Sequence, residues 1–130
     1  MRTWPFGFRK QFAPAVISGA KRQTVRQERK DRKRPDKGDR VTLWSGLRTA
    51  YCERLGEGAV TGCFRVTIRF EDGALLFDGE EVSGARAETF AQQDGFESFK
   101  AMEDWFHETH GPRDFHGCCV QWQAAHEGIA

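Results

Sequence analysis

From Ala59 to Phe70 the chain alternates without interruption. Val60, Gly62, Phe64, Val66, Ile68 and Phe70 fall on one side of the pattern, and Thr61, Cys63, Arg65, Thr67 and Arg69 on the other. A period of two over this length is the mark of a half-buried β-strand, because successive strand side chains point to opposite faces. Glu71-Asp72-Gly73 supplies the hairpin turn that follows, Ala74 to Phe77 the return strand, and Asp78-Gly79 a second turn. A chain with this centre has to be built around a sheet.

The flanking segments add helices to that sheet. Residues 4–8 (Trp-Pro-Phe-Gly-Phe) read as a short first strand or an extended lead-in. Residues 10–18 read as a first helix, with Phe12, Val16 and Ile17 as its apolar side. Residues 22–26 are extended, and Arg40 to Trp44 alternates as a strand with Val41 and Leu43 inward. Between them, residues 27–37 hold ten polar or charged residues and Pro35, which predicts a mobile loop that does not pack. Gly38-Asp39 makes a turn, and Ser45 to Glu53 a loop carrying Arg48 and Tyr51. Ala85 to Gln93 is a short helix broken by Asp94-Gly95. Ser98 caps a second, running to about Thr109, whose Phe99, Met102 and Phe106 form a core stripe. Gly111-Pro112 ends it, Phe115 to Gln123 closes the sheet, and Ala124 to Ala130 are expected to fray.

The length of 130 residues suits one domain spanning 1–130. Eleven Phe and four Trp exclude a disordered chain. No stretch has the apolar length needed to span a bilayer, and Met1-Arg2-Thr3-Trp4-Pro5 lacks the apolar core of a signal peptide, so a cytoplasmic protein without membrane partners is expected. Cys52, Cys63, Cys118 and Cys119 have no C-x-x-C spacing and read as reduced, mostly apolar residues. Charge is polarised along the sequence. Residues 1–54 hold 15 Lys and Arg against 5 Asp and Glu, a net of +10, whereas residues 55–130 hold 5 against 14, a net of −9. That asymmetry predicts a basic face for a polyanion.

Gly19-Ala20-Lys21-Arg22-Gln23-Thr24-Val25-Arg26 is the stretch richest in chemistry. Gly19 can end the first helix at positive φ. In the extended segment after it, Thr24 and Arg26 share a face, and Lys21 reaches over the same surface. The result is a donor-rich cluster suited to a phosphate, a carbonyl or a nucleobase edge. The alternative is a solvated basic turn.

The residues Gly19-x-Lys21-x-x-Thr24-Val25-Arg26, with Gly38-Asp39 opening a strand, resemble the signature of the ASCH family. The resemblance runs on through Trp44, Cys52, Gly56, Phe90-Ala91-x-x-Asp94-Gly95-Phe96 and Trp122, covering nearly the whole chain in order. It implies an α+β fold, a small PUA-like β-barrel with helices packed around it. Some members act on acetylated cytidine as amidohydrolases, using a Lys, a Thr and a Glu. Lys21 and Thr24 match the first two, and Asp94 falls at the Glu position, one methylene shorter. The resemblance thus implies Thr24 as nucleophile, Lys21 as base and Asp94 as the orienting carboxylate, with no cofactor. Other members bind RNA, and some cleave it.

A nucleic-acid groove follows from the residue types as well. Lys21, Arg26, Arg48 and the basic loop can neutralise phosphates, while Trp44 and Tyr51 can stack on unpaired bases. Each of these aromatics can equally be core or rim packing. His107-x-x-His110 with His116 lacks a completing carboxylate, so these read as histidines at a helix end and no metal site is expected. The expected partner is therefore RNA or a modified pyrimidine nucleoside. A ribonuclease and a protein-interaction module docking an acidic partner are the alternatives.

Overall fold

The computed structural model describes residues 1–124. The fraying expected of the C-terminal tail falls, beyond Ala124, outside the described residues. The fold is α+β. Its elements, in order, are β1 (Thr3–Phe8), a 3-10 turn (Lys10–Phe12), α1 (Ala13–Ser18), β2 (Gln23–Gln27), β3 (Arg40–Ser45), β4 (Glu53–Arg69), β5 (Ala74–Phe77), β6 (Glu80–Glu81), α2 (Gly84–Gln93), α3 (Phe99–His110) and β7 (Phe115–Ala124). The strand order is β1-β3-β4-β5-β6, and β7 pairs with both β2 and β4.

The chain divides into two compact units interleaved in sequence. One comprises Met1–Gln23, Pro35–Cys63 and Val120–Ala130, the other Thr24–Arg34 and Phe64–Cys119. The division redistributes the charge. The first unit carries 9 Lys and Arg against 5 Asp and Glu, the second 11 against 14, so their nets are +4 and −3. The contrast between sequence halves is diluted because six cations of residues 24–34 belong to the otherwise acidic second unit.

In the first unit β1 lies parallel to β3, with Trp4 opposite Val41, and β3 runs antiparallel to the early part of β4. The inward alternation expected of β3 is present, since Val41 and Leu43 are buried. β4 begins six residues before the alternation first detected at Ala59. Gly56 and Gly58 obscure that beginning, yet Gly58 is demanded by packing. A Cβ there would stand 2.6 Å from the Gln123 carbonyl oxygen and 2.9 Å from Trp122 Cδ1. Trp4, Phe8, Phe12, Val16, Val60 and Trp122 are buried, and the Phe8 and Trp122 ring centroids are 6.1 Å apart. The first helix covers the expected residues 10–18, but its opening is a 3-10 turn leading into α1. Ile17 is 62% exposed, so it is not part of the apolar face expected of it. Gly19 ends α1 at φ 83°, in the left-handed region.

In the second unit the later part of β4 pairs antiparallel with β5, and β5 with β6. Ser83 and Ser98 cap α2 and α3 by accepting from the backbone N–H of Arg86 and Ala101. Met102 and Phe106 of the expected stripe are buried and join Val25, Val66, Ile68, Leu75, Phe90, Phe115 and Cys119 in one core, with Phe99 packed against it. Cys118 is buried too, so β7 is covered on both faces there, whereas Cys52 is exposed rather than apolar filling.

The polar run 27–37 is irregular after Gln27, but it is not without packing. Arg32 N donates to Arg29 O at 3.0 Å and Lys33 N to Asp31 Oδ1 at 2.9 Å. Pro35 is buried, because its ring is the one apolar surface the run offers.

Candidate functional site

The second unit brings three of the expected site residues together. Strand periodicity turns Val25 into the core and puts Thr24 and Arg26 on the other face of β2. There Arg26 Nε donates to Thr24 Oγ1 at 2.9 Å. Thr24 is 5% exposed, so this is no solvated turn. β2 approaches β7 closely at this point. A Cβ on Gly117 would run into the Arg26 carbonyl oxygen and the Phe115 ring, so only glycine fits opposite Arg26.

Asp94 comes from the carboxyl end of α2. Its N–H bonds to Phe90 O at 3.0 Å, Gly95 N to Gln92 O at 3.1 Å and Phe96 N to Ala91 O at 2.9 Å. These last two bonds form a Schellman ending, which needs a left-handed residue after the cap, and Gly95 supplies it at φ 99°. The motif fixes the backbone of Asp94, whose residue is 3% exposed. Burial lowers the Arg26 guanidinium from its ordinary value to about 10, and the Asp94 charge acts in the opposite direction. Arg26 is therefore still a cation at neutral pH.

The first unit holds Lys21, Trp44, Arg48 and Tyr51. Lys21 is 3% exposed, its Nζ 5.0 Å from the Phe12 ring centroid and 5.9 Å from that of Phe8. Its backbone N–H bonds to Ala15 O at 2.9 Å, which ties the turn after Gly19 to α1. Beside it in sequence, the buried Gln23 accepts from Gln121 Nε2 at 3.4 Å. Neither glutamine was anticipated as part of a site. A polar residue at the start of a strand carries no signal of its own burial.

Trp44 and Tyr51 differ in accessibility. Trp44 is half-buried, its Nε1 donates to Thr42 Oγ1 at 3.0 Å, and the Arg54 guanidinium lies 5.7 Å from its ring. Tyr51 is 87% exposed in the loop between β3 and β4. Arg48, in the same loop, is exposed with φ 70°. Arg40 and Arg54 both pair with Glu57, at 2.8 and 2.6 Å.

His107 and His110 are exposed and set against rings. His107 meets Phe70 edge-on at 5.0 Å, and His110 stacks on Phe106 at 5.6 Å. Among the described residues no group of three or more His, Cys, Asp or Glu is placed to hold a metal ion. An open cleft of about 680 Å³ lies in the second unit, lined by Phe70, Glu71, Pro112, Arg113, Asp114 and His116. Of its lining residues only His116 was weighed from the sequence, as a metal-ligand candidate, and none was expected to line a substrate cleft. No helix among the described residues is long and apolar enough to cross a membrane.

Comparison with known proteins returned no matching family model, no matching curated protein and no matching solved structure.

Proposed function

We propose that this protein recognises RNA or a modified pyrimidine nucleoside, and that its enzymatic activity is hydrolysis of an N-acylated cytosine amide. The observation that carries the proposal is the bond from Arg26 Nε to a buried Thr24 hydroxyl, in the same unit as the buried Asp94 carboxylate. A buried hydroxyl held by a cation is a poor choice for a surface and a good one for a nucleophile. The α+β architecture, a sheet with helices, is compatible with the small barrel that the ASCH resemblance implies, and this supports reading the fold as PUA-like.

In this reading Thr24 Oγ bonds to the acyl carbon and the bond from that carbon to the exocyclic nitrogen breaks. The hydroxyl proton ends on the departing amine. Water then cleaves the resulting ester, releases the carboxylic acid and returns a proton to Thr24. The resemblance assigns the base to Lys21. The loop around Tyr51 favours a second, binding role, because an aromatic side chain left 87% exposed beside Arg48 is available for stacking.

The test is acetate release from acetylated cytidine. The wild type turns over and Thr24→Ala, folded by circular dichroism, does not. No turnover by the wild type, together with salt-sensitive RNA binding, leaves a binding protein. RNA cleavage by the wild type that is lost in Lys21→Ala moves the assignment to a ribonuclease.

A further inference from the structure

The cleft at Phe70 and His116 takes no part in the hydrolytic chemistry above, yet its volume of about 680 Å³ is that of a small-ligand site. The second unit alone builds its walls. Phe70 and Pro112 give it apolar surface. Asp114 Oδ1 accepts from the Phe70 N–H at 3.3 Å, and His116 Nδ1 lies 3.5 Å from Thr67 Oγ1, so the end of β4 is tied to the start of β7. Arg69 next door is already taken by Asp72 and Glu81, at 2.7 and 3.4 Å. Arg113 is different. It is exposed, and among the described residues it forms no ion pair, although Glu71 and Asp114 line the same cleft.

The basic loop is anchored beside this cleft. Glu28 N donates to His116 O at 3.2 Å, and Arg34 Nη1 lies 4.0 Å from Cys118 Sγ. Residues 29–33 therefore leave β7 at a cleft residue and return to it two residues further on, with Lys30, Arg32 and Lys33 exposed along the way. Cations for a backbone thus adjoin an aromatic-walled cleft for a base, the pairing by which proteins hold single strands. A free mononucleotide would engage the cleft alone, whereas a strand engages both.

Resting on the RNA reading above, we propose that this cleft is a separate nucleotide site, which takes one base of a single-stranded RNA whose backbone follows the basic loop. Phe70 packs against the base and Arg113 meets its phosphate. An ionised carboxylate only accepts hydrogen bonds. Glu71 therefore selects a base with an exocyclic amino group, as cytosine presents at N4, over uracil, which presents an acceptor oxygen there.

The experiment measures fluorescence anisotropy of oligocytidylate and oligouridylate, each about ten nucleotides long, across a salt series. It compares the wild type with Arg113→Ala, Glu71→Ala and Phe70→Leu. Arg113 and Glu71 are exposed, so their removal leaves the fold in place, and thermal unfolding checks all three variants. The wild type should bind oligocytidylate about tenfold tighter than oligouridylate, and Glu71→Ala should abolish the difference. Arg113→Ala should weaken both RNAs and lower the salt slope by about one. A second readout needs no variant. Ultraviolet crosslinking of oligocytidylate, followed by peptide mass spectrometry, should mark Phe70 or His116. Equal affinity of the wild type for the two RNAs, binding that none of the substitutions weakens, or crosslinks confined to Tyr51 would each overturn the site while leaving RNA recognition standing. No binding of either RNA at low salt removes the recognition reading and this site with it.

Discussion

The indole Nε1 of Trp4 donates to Asp39 Oδ2 at 3.0 Å, joining residues 35 apart in sequence. The same carboxylate accepts from Arg2 N at 3.1 Å and from Asp36 N at 3.0 Å. Asp39 therefore ties β1 to the turn before β3, and its N–H and carbonyl continue the tie through Asp36 O and Val60 N.

Those bonds make an acid-sensitive joint. The backbone N–H of Asp36, then the Trp4 indole and the Arg2 N–H, hold the Asp39 carboxyl down to about 2. A carboxylate depressed on folding stabilises the fold above its unfolded value of about 3.9, and that contribution is lost as pH falls toward the folded value. Thermal unfolding followed from pH 5 to pH 2 should show the loss within that window. Asp39→Asn should lower the melting temperature at pH 7 and flatten the dependence between about pH 4 and pH 2. An unchanged slope in the variant would mean that other carboxylates carry the effect.

Gly58 gives a steric prediction. Gly58→Ala forces its Cβ against the Gln123 backbone, which has no flexible end to move aside. The expected cost is about 1–3 kcal/mol, the range of overpacked sites. Urea unfolding measures it. Gly79→Ala is no neutral control despite open space around it, because φ there is 86° and strains any side chain.

How much of this was legible in the sequence depended on how local each cause was. The alternation from Val60 to Ile68 fixed a strand because period two needs no partner to be recognised. The strand's first residues stayed hidden because Gly56 and Gly58 read as punctuation, while the reason for Gly58 lies some 65 residues away in β7. Ser98 and Gly95 announced their caps because capping is a matter of a few residues. Ile17 looked like core, but a helix of six residues has too little length to bury a whole apolar face. Lys21 reads as reaching over the surface of the strand after it, and the structure buries it with its ammonium near the Phe8 and Phe12 rings, a packing that spacing alone does not announce. Thr24 and Arg26 could be placed on one face from their spacing alone. Their bond could not be read from the sequence, nor could the buried state of Asp94, because each depends on packing between elements distant in the chain.

The loop cations yield a binding prediction. Arg29, Lys30, Arg32, Lys33, Arg34 and Lys37 lie in an irregular, largely exposed run. If they meet phosphates, single-stranded RNA should bind and weaken steeply with added salt, and reversing several of these charges should lower affinity for all sequences alike. Arg29 contributes least on this view, since Asp31 already pairs with it at 3.0 Å. Fluorescence anisotropy across a salt series measures the slope. A slope unchanged by charge reversal would place the RNA elsewhere.

Tyr51→Ala separates binding from folding. A side chain 87% exposed contributes little to stability, so the melting temperature should not move. If the ring stacks on a base, affinity for single-stranded RNA should fall by about 1–3 kcal/mol. Trp44→Ala should do the opposite, since a half-buried indole bonded to Thr42 holds the strand it stands on. Equal loss of stability in both variants would remove Tyr51 from the interface.

The proposed hydrolysis makes the sharpest demand on Lys21, Thr24 and Asp94. Lys21→Ala and Thr24→Ala should each abolish acetate release, and the double variant should be no worse than either, because residues that act as one unit are not additive. Both removals touch buried residues, so each variant needs its own unfolding curve. Asp94→Asn keeps the volume of the side chain and removes its charge. It should slow turnover less than loss of Thr24, because the nucleophile remains, while leaving Arg26 a partly buried cation without the Asp94 charge. Asp94→Glu restores the side chain that the ASCH resemblance implies, but at a site only 3% exposed the added methylene must be packed. Overpacking of about 1–3 kcal/mol should therefore appear as lower stability even where the rate per folded molecule is kept or raised. Additive losses in the double variant would show that Lys21 and Thr24 work in separate steps, and the hydroxyl would need another base.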